Sequence, residues 1–262
     1  MIERDGMKVA KRIRDGILRL QYRPGQNLDE AELSDVLNVS RTPVREAIIL
    51  LIADGLVVRD GRKAKVASLD LDDVPKLYEA LLISSRMIQR LAARNRTPEN
   101  LKSIQESLKR FEKATKTSNG VERSEANLEF HSAISHAAGN KYFQTFYNQV
   151  LIDTLRLARA CFSDQPLMLA VQDVSLTEHL AETIRQHRLI YAAIKNADAE
   201  LADELAVLHH RLTTERLKKV LFSNTSDGSS APNLEFVQTD ENFPERYSAS
   251  LTAYNLARKE EE

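Results

Sequence analysis

The chain has 262 residues, 42% of them hydrophobic and 29% charged, with a formal net charge of −1, which is the profile of a soluble chain with material for about two domains. Its longest apolar run, AIILLIA at 47–53, is far shorter than the roughly 20 residues a membrane span needs, and the charged start MIERDGMKVAKRIRDG has no secretory apolar core. One cysteine, Cys161, excludes an internal disulfide framework and any CxxC site, while 8 Gly, 7 Pro and no Trp argue against a turn-rich β-protein. The expectation is a mostly helical protein of the cytoplasm with no membrane partner.

The overall charge hides an asymmetry. Residues 1–68 carry 13 Lys/Arg against 10 Asp/Glu, whereas the rest of the chain is net acidic. A basic face on an acidic body suits a protein that offers one surface to a polyanion.

In chain order, Val9, Ile13, Ile17 and Leu20 recur at three- and four-residue steps and predict an amphipathic helix over 8–20. YRPGQN (22–27) stops it with turn chemistry. Asp29 and Glu32 resemble an N-cap and its capping-box partner for a second helix, whose buried side is expected from Leu33, Val36 and Leu37. After the connector LNVS, Ser40 is a good N-cap for a third helix over about 41–53, with Pro43 in its first turn and Val44, Ala47, Ile48 and Leu51 facing inward. Gly55 ends it. LVVRDGRKAKVAS (56–68) reads as two short strands around an Asp60-Gly61 turn.

Helix, helix, turn, helix and hairpin within about 60 residues describe a winged helix-turn-helix, whose second paired helix enters the major groove of DNA. Its tip here carries Ser40, Arg41, Thr42 and Arg45, with the two arginines one turn apart opposite the apolar stripe. Arg62, Lys63 and Lys65 sit on the wing, placed for the DNA backbone or minor groove. A cluster of arginines is by itself most often a solvated helix face; the helix pattern, connector and wing together favour DNA binding.

The stretch ILRLQYRPGQNLDEAELSDVLNVSRTPVREAIILLIADGLVV, and VSRTPVREA (39–47) above all, resembles the N-terminal domain of GntR-type bacterial transcription regulators. The resemblance implies operator contacts from Ser40, Arg41, Thr42, Arg45 and Gly61. Where the family often has a DNA-contacting arginine this chain has Ala31, and DGRKAKV replaces the usual glycine-rich wing.

Further along, helices are expected over 71–95, 98–117, 121–138, 141–162, 174–196 and 198–222, punctuated by Pro98, Gly120 and Gly139-Asn140, with a loop opened by FSDQP (162–166). Six helices with apolar stripes and short links make an antiparallel bundle. The predicted fold is therefore mainly α: a winged helix-turn-helix at 1–68, an all-helical domain at 69–222, and a tail at 223–262. The tail begins SNTSDGSSAPN, carries 8 acidic and 3 basic residues, and is expected to be disordered or to hold a loosely docked helix near 244–260.

All six histidines fall in the second part: His131, His136, His179, His187, His209 and His210. Asn127 and His131 share a helix face, and imidazoles from three bundle helices are how helical folds build a metal site. A lone helical histidine is more often a surface or satisfied core residue, and His136 fits that description. ANLEFHSAISHAAGNKYF (126–143) and HRLIYAAIKNADAELADELAVLHHRL (187–212) resemble the two signatures of the FCD effector domain, found at the C-terminus of FadR-type GntR regulators. Many such domains hold a divalent metal with one Asp and three His, and the matching positions are Asn127, His131, His187 and His209. Replacing the usual Asp by Asn127 favours zinc or nickel over harder cations. The family's effector-binding arginine is replaced by Leu81 and a nearby glutamate by Ser85, which points to an effector that is less acidic or held differently. Arg86 and Arg90 are candidate substitutes against the commoner reading as solvated helix residues, and His179, two turns from His187, faces either the cavity or solvent.

The resemblance implies a homodimeric, ligand-responsive transcription regulator, most simply a repressor, that binds an inverted-repeat operator in double-stranded DNA and responds to a small carboxylate metabolite. Two alternatives are a constitutive DNA-binding dimer without effector and a three-histidine metal-dependent hydrolase. Against the hydrolase stand the lack of HExxH, of GxSxG and of a carboxylate spaced as a general base. The chain is read as a non-enzyme.

Overall fold

The computed structural model describes residues 5–117, 119–163 and 174–223; the expectations for the tail and for most of the FSDQP loop lie outside them. The described chain forms two compact units. One holds the residues through Val74 together with the segment from Leu151 to Ser163, and the other holds Pro75–Val150 and the segment from Val174.

In the first unit, helix α1 (Asp5–Leu18) precedes α2 (Glu30–Leu37) and α3 (Arg41–Ala53), followed by strands β2 (Val57–Asp60) and β3 (Lys63–Val66). Val9, Ile13, Ile17, Leu33, Leu37, Val44, Ala47, Ile48, Leu51, Leu56, Val57 and Val66 form one core. Both inward stripes read from the 3.6-residue period are therefore present. The exceptions are Leu20, which lies past the end of α1, half-buried with φ of 58°, and Val36, which is exposed rather than buried. Leu33 and Leu37 already span the contact face of this two-turn helix, and position 36 falls beside it.

Asp29 caps α2 by accepting from the backbone N–H groups of Ala31 and Glu32. Ser40 occupies the N-cap position of α3 in an extended conformation, but its hydroxyl makes no cap hydrogen bond. Asn38 ends α2 with φ of 53°, the left-handed region that Asn tolerates better than most residues. The Ser34 hydroxyl donates to the Val39 carbonyl at 2.6 Å and closes the same turn.

Strands β2 and β3 pair antiparallel with Asp60 opposite Lys63, so Gly61 and Arg62 make a two-residue hairpin turn. Gly61 has φ of +60°, the conformation that glycine supplies at such turns. A third strand was not expected. β1 (Asn27–Leu28) pairs with β3 and makes the sheet order β1-β3-β2. Its two residues follow the RPGQ turn, where Gly25 donates to Val66 and Val66 in turn donates to Gln26, so tertiary hydrogen bonds create the strand.

A single 3-10 turn at Leu71–Asp73 lies at the end of the first unit, and the second contains α4 (Val74–Asn95) from Pro75 onward, then α5 (Pro98–Ala114), α6 (Gly120–Ala137), the start of α7 (Lys141–Ser163), α8 (Val174–Lys195) and α9 (Ala199–Ser223). Each expected helix is present, with ends displaced by a few residues at most. Local chemistry explains the starts. Thr97 and Asn100 form a reciprocal capping box, Asn119 accepts from Val121 and Glu122, and Asn140 accepts from Tyr142 and Phe143. Helix α5 packs against α6 and α8, and α8 against α9.

The second half of α7 belongs to the first unit. There Ile152 packs on the core, and two buried arginines bond to backbone carbonyls, Arg156 to Ala67 after β3 and Arg159 to Leu18 at the end of α1. Asp153 partners Arg156 at 3.0 Å. Helix ends leave carbonyls without intrahelical donors, and Arg159 supplies one. No helix of the described residues is long and apolar enough to cross a membrane.

Candidate DNA-reading face and histidine cluster

At the start of α3, Ser40, Arg41, Thr42 and Arg45 are all exposed, while Val44, Ala47, Ile48 and Leu51 on the opposite side are completely buried. The apolar stripe anchors the helix and leaves its tip outward, the presentation that a major-groove helix requires. On the hairpin, Gly61, Arg62 and Lys63 are exposed, and a Cβ placed on Gly61 would meet nothing within 4 Å. Glycine is thus required there by backbone conformation, with open space above it.

Lys65, expected on the wing tip, is instead half-buried and paired with Asp60 across the hairpin. That ammonium group also holds the Asp60 carboxyl below its usual range. Sequence reasoning missed two acidic residues beside the arginines. Glu30 accepts from Arg45 Nε at 2.6 Å. Asp29 is held below its usual range first by the backbone N–H bonds it accepts and more weakly by the charge of Arg41.

In the helical unit, His131 from α6, His187 from α8 and His209 from α9 converge, all buried, each offering a ring nitrogen within 4.8 Å of the others. The Nε2 atoms of His187 and His209 are 3.3 Å apart. Two imidazole nitrogens on one tetrahedral ion, each about 2.0–2.1 Å from it, stand about 3.3 Å apart. Burial pushes His131 down to about 4 and His187 and His209 well below their ordinary value, so all three rings are neutral at pH 7, as ligands must be.

The surroundings orient the rings. His209 Nδ1 lies 3.0 Å from Gln186 Oε1, which fixes its proton on Nδ1 and its lone pair on Nε2, and Gln186 in turn donates to Glu182. His131 Nδ1 is 3.4 Å from the Tyr147 hydroxyl, itself bonded to Ser85 and pushed up to about 12 by burial. Among the described residues His187 Nδ1 has no hydrogen-bond partner, and its ring packs against Phe130 and Phe111 at centroid distances of 4.2 and 4.8 Å. An outer acceptor on a ligating histidine is the usual support of a metal site. The donor set suits a divalent ion, and the His187–His209 pair has the spacing of two ligands on one.

Asn127, the fourth expected position, lies one turn before His131 on α6 and is half-buried. His136 is exposed. His210 packs against Tyr78 and the Thr214 hydroxyl, apart from the triad contacts. His179 is half-buried and pushed down to about 4, chiefly by burial and then by the charges of Arg216 and Lys219. Leu81 is buried on α4. Arg86 does not face the interior. Its neighbour Ser85 takes the inward position, and the exposed Arg86 guanidinium is held by Asp203 of α9 through two bonds of 2.8 Å. Arg90 is likewise engaged by Glu200 and Asp203. Gln186 and Tyr147 escaped sequence reasoning; Gln186 carried only its adjacency to His187 as a signal.

A winged helix with an arginine-tipped α3, joined in one chain to a helical unit built around buried imidazoles, defines a DNA-binding regulator with a sensing domain. The family comparisons agree. Residues 6–66 match the bacterial regulatory proteins of the gntR family, and residues 77–212, half of the chain, match the FCD domain. The chain belongs to the GntR-type transcription regulators that carry an FCD domain, and it is not an enzyme. Among relatives, the HTH-type regulator YdhC of Bacillus subtilis is 29% identical over 206 residues, covering 76% of this chain and 85% of its own. The Uxu operon transcriptional regulator of Escherichia coli is 29% identical over 244 residues, covering 86% and 90%. Among solved structures, McbR/YncC of E. coli shares the fold with a TM-score of 0.66 at 22% identity, covering 83% of this chain and 99% of that one.

Proposed function

We propose that this regulator acts in the cytoplasm as a homodimeric repressor whose two winged helices read an inverted-repeat operator, and whose FCD domain binds a small carboxylate metabolite that releases it from DNA. Residues 1–68 act as the DNA-binding domain and 69–222 as the effector and dimerisation domain. The observation that carries the reading is the outward presentation of Ser40, Arg41, Thr42 and Arg45 over a fully buried inner stripe. Gly61, Arg62 and Lys63 approach the backbone beside them. By its name the E. coli relative is a transcriptional regulator of the Uxu operon, and we take control of an operon as the role of this chain too.

In the effector domain, Asn127, His131, His187 and His209 hold a divalent ion, zinc or nickel in preference to harder cations because three donors are imidazoles and the fourth is a neutral amide. When bound, the ion would supply positive charge that attracts an effector carboxylate. This role suits an effector domain in which Leu81 replaces the family's arginine and Arg86 is engaged by Asp203. His179 stands beside the cluster, within electrostatic reach of His209. A metabolite can shift operator affinity only by binding the DNA-competent and incompetent forms unequally.

The test is selection of genomic fragments by the purified full chain, followed by competition with carboxylates drawn from the chemistry encoded beside the recovered fragments. Recovery of a two-fold symmetric site that a metabolite releases is expected. A recovered site that no metabolite or metal affects would establish the constitutive alternative instead.

A further inference from the structure

The start of α2 stands against the start of α3. Glu30, in the first turn of α2, accepts from Nε of Arg45 at 2.6 Å, and Arg45 remains 62% exposed beyond that bond. Asp29 lies within electrostatic reach of Arg41. The two helices are fixed relative to each other by the left-handed Asn38 and the Ser34–Val39 bond, so the pairing is built into the turn. Nearby, position 31 is alanine.

A guanidinium has five N–H groups in a planar fork. With Nε–H committed to a carboxylate, the two terminal nitrogens remain, and they are the pair that reaches O6 and N7 of a guanine. A carboxylate behind the fork has two further consequences. It reduces the rotamers that Arg45 must give up on binding, and it offsets part of the charge that would otherwise seek any phosphate.

We infer that Glu30 is a specificity-determining positioning residue, which holds the Arg45 fork toward a base edge and suppresses sequence-independent attraction to DNA. The inference rests on the proposed DNA-reading role of Arg45. The competing structural role is favourable interaction of Glu30 with the N-terminus of α2, which would affect stability and leave selectivity alone.

The experiment uses the full chain and the duplex recovered by selection from a random-sequence library, with a scrambled duplex of the same composition. Wild type, Arg45→Ala, Glu30→Ala and Glu30→Gln are compared for affinity on both duplexes, for base preference at each position, for salt dependence and for thermal midpoint. Arg45→Ala is expected to erase preference at one position per half-site. Glu30→Ala is expected to lower the selected-to-scrambled ratio by about 3- to 10-fold, largely through tighter binding of the scrambled duplex. Its log–log salt slope should steepen by about one as the freed guanidinium finds a phosphate. Glu30→Gln, which still accepts from Nε, should keep most of the base preference while showing the same gain on scrambled DNA. An unchanged ratio for Glu30→Ala, or equal losses on both duplexes, would overturn the inference while Arg45 kept its role. Failure of wild type to select any sequence, or full base preference in Arg45→Ala, would remove the reading beneath it.

Discussion

At the scale of single residues, the histidine cluster depends on side chains that touch no ion. Gln186 fixes the tautomer of His209 by accepting from Nδ1 at 3.0 Å, leaving a free lone pair on Nε2, the atom that faces His187. Outer-shell partners of this kind typically change metal affinity by about 10- to 100-fold. Gln186→Leu keeps the volume and removes the acceptor, so zinc affinity measured by competition with a chromophoric chelator should fall within that range with the fold intact. An unchanged affinity would show that His209 does not ligate through Nε2. Asn127→Asp works in the opposite direction. It adds a carboxylate, and affinity for manganese-like ions should rise more than affinity for zinc.

At the scale of elements, the turn between α2 and α3 decides how the reading helix is aimed. Its one strained position is Asn38, with φ of 53°. Asn38→Ala is expected to cost about 1 kcal/mol in denaturant unfolding, whereas Asn38→Gly should match or exceed the wild type. Equal losses in both variants would place the importance of Asn38 in its side chain and not in its backbone. The same segment explains what was legible beforehand. Helices α1 to α9 follow from apolar spacing and from capping residues such as Asp29, Thr97 and Asn119, all of which act within a few positions. Strand β1 was hidden because its two residues are made extended by Val66, some forty positions away. The convergence of His131, His187 and His209 was legible because each sits on a strongly patterned helix within a family signature. Glu30, Gln186 and Tyr147 were not, since their partners Arg45, His209 and His131 lie on other helices. Arg156 and Arg159 illustrate the same limit. Arginine reads as a surface residue, yet these two are buried because backbone carbonyls and Asp153 meet their N–H groups.

At the scale of the whole molecule, titration separates the two units. The winged-helix unit contains no histidine among its described residues, while the helical unit contains all six of the chain. Burial pushes His131, His179 and His210 down to about 4, and His187 and His209 well below their ordinary value. The unfolded chain takes up a proton on each near 6.5, and the folded chain does not until much lower pH. Folding therefore excludes protons, so stability is full above about pH 6.5, declines as pH falls from there, and levels off near 4 for His131, His179 and His210. Carboxylates contribute little change above about pH 5, which leaves the window from 6.5 to 5 to the histidines. In chelator-treated protein, the calorimetric midpoint should fall between pH 7.5 and 5.5. Zinc should raise the midpoint at pH 7.5, by mass action on the folded state, and raise it less at pH 5.5, where protons compete for the same nitrogens. A midpoint constant across that window in metal-free protein would mean that the imidazoles are hydrated and not buried. A zinc effect equal at both pH values would place the ion away from His131, His187 and His209.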